Sequence, residues 1–214
     1  YNCDVNNYDK IKNFIINLKK LDILVNNAGT NIPENFLTVK KTSLETILNV
    51  NTKAVFNIAQ LCANQMIKLK RKKGSILNIA STAGLSPRPN LNWYNATKGW
   101  MITATKTMAV ELAPFGIRTN AICPVAGETP LLKSFMGEDT PERRQAFLST
   151  IPIGRFSTPK DLGKALTMAD ELSEGFRKNM KKEGMAEWGV ASKILPQGEG
   201  QSTIFFWDVY NSLN

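Results

Sequence analysis

Ser75-Ile76-Leu77-Asn78-Ile79-Ala80, with Gly74 before it and Ser81 after it, is the stretch on which the fold turns. It is short, apolar and rich in Ile and Leu, which reads as a buried strand. A long helical pattern lies on each side. Upstream, Thr42 and Glu45 have the form of a capping box, and Leu44, Leu48, Val55, Ile58, Cys62, Met66 and Leu69 recur at helical spacing until Gly74 stops the run. Downstream, a second pattern runs from Trp93 to Ala113, with Met101, Ala104, Met108 and Leu112 as its stripe and Pro114 and Gly116 at its end. Beyond the helices lie two further strand candidates, Asp22–Asn26 and Ile117–Cys123.

Strand, helix, strand, helix, strand in this order predicts parallel strands joined by right-handed crossovers. The fold class is therefore α/β, a doubly wound parallel sheet. Ligands in such sheets sit beyond the C-terminal strand ends, here Asn27–Thr30, Ser81–Arg88 and Pro124–Pro130. After Cys123 the text changes. Pro124, Pro130, Pro141, Pro152 and Pro159 punctuate short helical stretches, and Thr140-Pro141-Glu142 and Thr158-Pro159-Lys160-Asp161 both read as helix starts. A partly helical insertion at the ligand edge predicts a substrate lid. Past about residue 170 the chain turns polar and Lys-rich, and there only Ile204–Tyr210 reads as a strand.

Composition narrows the chemistry. The 214 residues carry no His, which excludes a Ser-His-Asp triad, a Cys-His nucleophile and a His-ligated zinc. Cys3, Cys62 and Cys123 have no metal-ligand or redox spacing, so no metal is expected, and sparse cysteine predicts a reduced, cytoplasmic setting. No apolar run approaches the ~20 residues of a membrane span. The net charge of +9 raises the question of an acidic partner. The densest basic run, Lys68, Lys70, Arg71, Lys72 and Lys73, closes a helical pattern, where cations complement the helix C-terminus, and it has no interleaved aromatics. Neither a nucleic acid nor a membrane is expected as partner. Tyr1 opens the sequence, so a targeting segment is not read in either direction.

Tyr94 and Lys98, four apart, share a face in the first turns of the second helix. A free phenol, with a pKa near ~10, is a poor acid–base catalyst at neutral pH. A neighbouring ammonium and a helix N-terminus both favour tyrosinate, and lowering the pKa by ~3 takes about 4 kcal/mol. The spacing alone means little, because Tyr8 and Lys12 repeat it in an amphipathic segment with nothing around them. What distinguishes Tyr94 is Ser81, 13 residues earlier at the end of the buried strand. Ser81-Thr82-Ala83-Gly84 also reads as a plain turn. Asn26-Asn27-Ala28-Gly29 lets backbone approach a ligand, or is a simple strand-to-loop turn. Asn51, inside the first helix, is either a satisfied core amide or a water ligand. Asn95-Ala96-Thr97 is formally a glycosylation sequon, here accidental.

Taken together these residues resemble the short-chain dehydrogenase/reductase family, in particular its 3-oxoacyl reductases, over roughly residues 1–168. Asp4-Val5 resembles the adenine-contacting pair after the family's third strand. Leu21 to Gly29 resembles the fourth-strand motif, and Ile117 to Pro124 the sixth strand. Asn51, Ser81 and Tyr94-x-x-x-Lys98 fall on the catalytic tetrad. Ile151-Pro152-Ile153-Gly154-Arg155-Phe156 with Pro159 and Asp161 is also typical. The resemblance implies a Rossmann-like sheet and hydride transfer between NAD or NADP and a small-molecule ketone or secondary alcohol. Tyr94 would be the acid or base, Lys98 would hold the nicotinamide ribose and depress the tyrosine pKa, Ser81 would bind the substrate oxygen, and Asn51 would hold a relay water. Cofactor contacts are implied for Asp4, Val5, Asn27, Ala28, Gly29, Tyr94, Lys98 and Thr129, and a homo-oligomer through the two long helices.

The departures are equally specific. The family's T-G-x-x-x-G-x-G loop, first strand, first helix and second strand have no counterpart here, so the sheet is expected to be truncated at its N-terminal side. Pro-Val at 124–125 stands where Pro-Gly is usual, and residues 169–214 read as an atypical tail. Without the first two strands, Asp4-Val5 is expected to have no neighbour and Ile23–Val25 to be an open apolar edge. The alternative function is a non-catalytic remnant that cannot bind the dinucleotide.

Overall fold

The computed structural model describes residues 2–70, 74–129, 131–182 and 202–205. Three strands pair in parallel: β1 (Ile23–Asn26), β2 (Gly74–Ile79) and β3 (Ile117–Pro124), with Ile23 opposite Ser75 and Ser75 opposite Arg118. A fourth strand, β4 (Ser202–Phe205), joins the far side of β3 antiparallel, with Ile204 opposite Ile122. It starts two residues before the expected Ile204–Tyr210 strand, and 206–210 lie outside the described residues. Within the described sheet β1 is an edge, and Ile23 and Val25 are 57% and 44% exposed.

The first crossover is not one continuous α-helix. It consists of α2 (Lys41–Leu48), a π-helical turn (Asn49–Ala54) and α3 (Val55–Lys68). Ser43, Ile47, Asn51, Val55 and Ala59 are all buried at a strict spacing of four. A 3.6-residue helix drifts off such a line, and the wider π turn absorbs the drift around Asn51. The expected capping box does not form either. The helix starts one residue earlier, its N-cap Lys40 makes no side-chain cap bond, and the Thr42 carbonyl accepts a bond from Thr46 instead. The second crossover is α4 (Asn92–Leu112). Its buried face runs through Lys98, Met101, Ile102, Thr105 and Ala109, rotated from the expected stripe because Ala104 and Met108 are only half-buried.

β2 and β3 are covered on both faces, while Ile23 and Val25 leave one face of β1 open. Ala121 and Cys123 of β3 pack with Val55, Ala80, Met101 and Ile102. Ile122, pointing the opposite way as strand alternation requires, packs with Leu162, Ala165, Leu166 and Ala169 of α7 (Pro159–Lys182). That helix runs without interruption through residue 168. A polar thread crosses the core: Asn26 donates to Asn78 at 2.8 Å, Asn78 to Thr105 at 2.9 Å, and Thr105 to the Met101 carbonyl at 2.7 Å. It ties β1, β2 and α4 into one register, and each of its buried amides is costly to leave unpaired.

After β3 come α5 (Leu131–Met136) and α6 (Pro141–Leu148), with their own small core of Ala126, Leu132, Met136, Ile151 and Phe156. Thr140 caps α6 by accepting from the Arg143 N–H, with Pro141 at the first helical position, as the sequence predicts. At the N-terminal end, Asp4 and Val5 form no strand. The Asp4 carboxylate accepts from the Asn6 N–H at 2.9 Å in a turn that leads into α1 (Tyr8–Ile16). No helix among the described residues is long and apolar enough to cross a membrane.

Candidate active site

Ser81 leaves β2 with extended backbone and opens a short 3-10 turn, Thr82–Gly84, its hydroxyl accepting from the Ala83 N–H at 3.1 Å. It is thus both the turn residue and a neighbour of Tyr94, close enough for its hydroxyl to pull the phenol pKa down. Tyr94 and Lys98 are each only 5% exposed, with the Lys98 Nζ 5.7 Å from the Tyr94 ring centroid. The same spacing in α1 brings the Lys12 Nζ 5.8 Å from the Tyr8 ring, yet Tyr8 is 40% exposed and Lys12 is exposed too. The two pairs share a local geometry, and burial separates them.

The Lys98 ammonium donates to the Ile79 carbonyl at 2.6 Å. That bond holds it under the Tyr94 ring. The Tyr94 pKa accordingly differs from the expectation. Burial, the largest influence, raises it above the ordinary tyrosine value, while Ser81 and then Arg88 pull it down. Desolvation of tyrosinate outweighs the nearby positive charge. Lys98 is itself pushed down to about 8 by burial.

Asn51 is fully buried, and its amide is committed on both sides. Its Oδ1 accepts from the Thr30 N–H at 2.8 Å, and its Nδ2 donates to the Thr30 carbonyl at 2.9 Å and to the Thr97 hydroxyl at 3.1 Å. It therefore clamps the loop after β1 to α4, with one acceptor lone pair left over. That clamp brings Gly29 in. A Cβ on Gly29 would lie 3.6 Å from Asn51 Oδ1 and 3.7 Å from Lys98 Nζ. Asn27, Ala28 and Gly29 are exposed. Thr129 is exposed on the loop after β3, where its carbonyl accepts from the Leu132 N–H to start α5. Asp4 is exposed, Val5 is half-buried, and both belong to the turn before α1, away from the described sheet. The sequon Asn95 is buried, its amide donating to the Arg88 carbonyl at 2.9 Å.

Sequence reasoning did not single out four residues that shape this site. Thr30 and Thr97 hold Asn51. Phe135 of α5 meets Tyr94 edge-on, with ring centroids 5.3 Å apart, and so closes the lid segment over the phenol. Arg88 supplies the nearby positive charge. The hydroxyl of Thr97, one residue before Lys98, was the one readable signal; the rest are set by long-range packing.

Burial of Lys98 has a testable consequence. The charged form is penalised in the fold, and the drop from 10.5 to about 8 corresponds to about 3 kcal/mol. The penalty is complete below pH 8 and is relieved as the pH rises toward 10.5, because there the unfolded chain binds the extra proton. Relative to Lys98→Met, the wild-type chain is expected to gain stability by up to about 1.4 kcal/mol per pH unit in that window. Cys62 and Cys123, both pushed up to about 12 by burial, act in the opposite sense above pH 9; Cys62 does so alike in both proteins, while Cys123, which Lys98 pulls down, is raised further in Lys98→Met and adds to the wild-type gain. Urea unfolding of the pair at pH 8 and pH 10 checks this, and a constant gap between the two proteins contradicts it.

The family model described as Enoyl-(Acyl carrier protein) reductase matches residues 1–176. The chain is 43% identical over 156 residues to a 4-formylbenzenesulfonate dehydrogenase of Comamonas testosteroni, covering 71% of this chain and 60% of that protein. It is 37% identical over 180 residues to a 3-oxoacyl-[acyl-carrier-protein] reductase of Thermotoga maritima, covering 81% and 70%. Among solved structures, the 3-ketoacyl-(acyl-carrier-protein) reductase of Brucella melitensis complexed with NADH superposes with a TM-score of 0.68 at 39% identity, covering 76% and 66%. The chain thus spans about 60 to 70% of the length of these relatives. The Rossmann-like parallel sheet, the family match over residues 1–176 and these relatives agree: this chain belongs to the short-chain dehydrogenase/reductase family, as a 3-oxoacyl-reductase-like member.

Proposed function

We propose that the chain carries the catalytic half of an NAD(P)-dependent oxidoreductase that interconverts a ketone or aldehyde and an alcohol. The observation that carries this reading is the buried Tyr94 phenol with the Ser81 hydroxyl beside it and the Lys98 ammonium under its ring. In the reductive direction Tyr94 gives its proton to the carbonyl oxygen while Ser81 donates to the same oxygen. In the oxidative direction Tyr94 takes the hydroxyl proton. A raised pKa keeps the phenol protonated at neutral pH, which suits the reductive direction. The Lys98 ammonium under the ring stabilises the tyrosinate that this leaves, and Asn51 holds the β1 loop in place, its remaining lone pair the only acceptor it can offer a water.

The nicotinamide end of a dinucleotide fits these residues. Gly29 leaves a recess beside the Asn51 Oδ1 and the Lys98 Nζ that any Cβ would narrow, and Asn27, Ala28 and Gly29 offer exposed, small-residue backbone at its mouth. Lys98 and the Asn27–Gly29 backbone would hold the ribose and the nicotinamide, with Thr129 on the opposite loop. When bound, the nicotinamide supplies or accepts the hydride. The choice between NAD and NADP is open; relatives solved with NADH and with NADPH support both. A small carbonyl compound is the substrate class, supported by relatives named for a formylbenzenesulfonate and for 3-oxoacyl groups.

The pyrophosphate end has no such fit among the described residues. It calls for backbone N–H groups at a Gly-rich strand-to-helix turn, and none of the described strand ends leads into a helix through one. Losing several charge-assisted hydrogen bonds, each worth roughly 1.5–3 kcal/mol, weakens binding by orders of magnitude. Calorimetric titration of the 214-residue chain with NADH and NADPH is expected to show no micromolar binding. A version carrying a Gly-rich strand, loop and helix ahead of residue 3 is expected to bind and to reduce a carbonyl substrate. Micromolar binding by the chain as given excludes the remnant reading. Binding without turnover by the extended version overturns the oxidoreductase reading.

A further inference from the structure

Arg88 stands between Pro87 and Pro89, which restrict the backbone on either side of it. Its carbonyl is tied to the first turn of α4 by the Asn95 amide at 2.9 Å, one residue from Tyr94. Its guanidinium carbon lies 5.0 Å from the centroid of Phe147 on α6, and Phe147 in turn packs on Phe156 with centroids 6.0 Å apart. The side chain is half-buried, and its charge is felt at the Tyr94 phenol. It therefore spans the gap between the loop after β2 and the lid, at the substrate side of the tyrosine.

What sets Arg88 apart is its missing counter-charge. The lid's other arginines each have one: Arg143 with Glu138, Arg144 with Asp139 and Glu128, and Arg155 with Asp161. Among the described residues no carboxylate pairs with Arg88. Stacking on Phe147 uses one face of the guanidinium and leaves its edge N–H donors, which suit a carboxylate or another oxyanion. We propose that Arg88 is a specificity-determining residue that selects carbonyl substrates bearing an anionic group, holding that group while the carbonyl lies at Ser81 and Tyr94. This rests on the oxidoreductase reading of the same site.

The test is a binding comparison on the intact chain, with 4-formylbenzoate and uncharged benzaldehyde as probes, by calorimetry with and without NADH. The charged aldehyde is expected to bind at least ~10-fold more tightly, as one good charge-assisted contact allows. Arg88→Gln is expected to erase the preference and Arg88→Lys to retain part of it, with unfolding midpoints confirming that both variants fold. Tyr94→Phe is expected to keep the preference, which separates anion recognition from catalysis. Equal binding of the two aldehydes, or an unchanged preference in Arg88→Gln, overturns the role of Arg88 and leaves the oxidoreductase reading to its own tests. Binding of neither aldehyde under either condition overturns both.

Discussion

Tyr94→Phe is expected to lower turnover by roughly 10²–10⁴-fold in a version that binds the dinucleotide, while dinucleotide affinity changes little. The phenol oxygen is the only heavy atom removed, and no other group among the described residues of the site is set to move a proton to the carbonyl. The chain has no His, an unactivated serine hydroxyl such as Ser81 gives a hydrogen bond rather than a proton, and the Lys98 ammonium is held on the Ile79 carbonyl. The ring still packs against Phe135, Ala83 and Leu91, so the fold is preserved. Single-turnover kinetics beside a dinucleotide titration separate the two effects. A Phe variant with near-normal turnover would falsify the proton-transfer role.

The second large effect is structural. Gly84→Ala is expected to destabilise the chain by about 1–3 kcal/mol, or more if α4 cannot shift. A Cβ there would lie 2.6 Å from the Lys98 carbonyl carbon, 2.7 Å from the Gly99 nitrogen and 2.9 Å from the Lys98 oxygen. All three are helix backbone, so no side chain can swing aside. The displaced residue is Lys98 itself, and turnover should fall along with stability. Gly99→Ala is the control on the facing side. Its Cβ would meet only the Gly84 carbonyl, at 3.4 Å, and Ala favours the helix by about 1 kcal/mol over Gly. Chemical denaturation should show a lower midpoint for the first variant and an unchanged or higher one for the second. The opposite order would mean that the 3-10 turn and α4 are not in this close contact.

The alternation of strands and helices was legible because its causes are local. Ile76 to Ile79 and Ile117 to Cys123 are short Ile-bearing segments between helical patterns, and Pro114, Gly116 and Thr140-Pro141 mark boundaries through their own backbone preferences. The candidate catalytic set was legible only as a constellation carried by resemblance, since Tyr8 and Lys12 show that its central spacing occurs without burial. Long-range contact decided the rest. The π turn around Asn51 exists because that amide reaches Thr30, 21 residues away, and Thr97, 46 residues away. No local pattern encodes that reach, so a continuous helix was the natural reading of the same residues.

The sequence by itself determined the parallel order of β1, β2 and β3, the residue types at the strand ends and the absence of imidazole chemistry. These follow from side-chain chemistry and chain connectivity, which are fully present in the one-dimensional text. Only the tertiary structure decided which Tyr–Lys pair is buried, that burial raises rather than lowers the Tyr94 pKa, and that Arg88 lies near enough to act on the phenol with no carboxylate partner among the described residues. Desolvation and charge pairing depend on what packs around a group in three dimensions, and those neighbours come from β2, α4 and the lid, distant in sequence and adjacent only after folding.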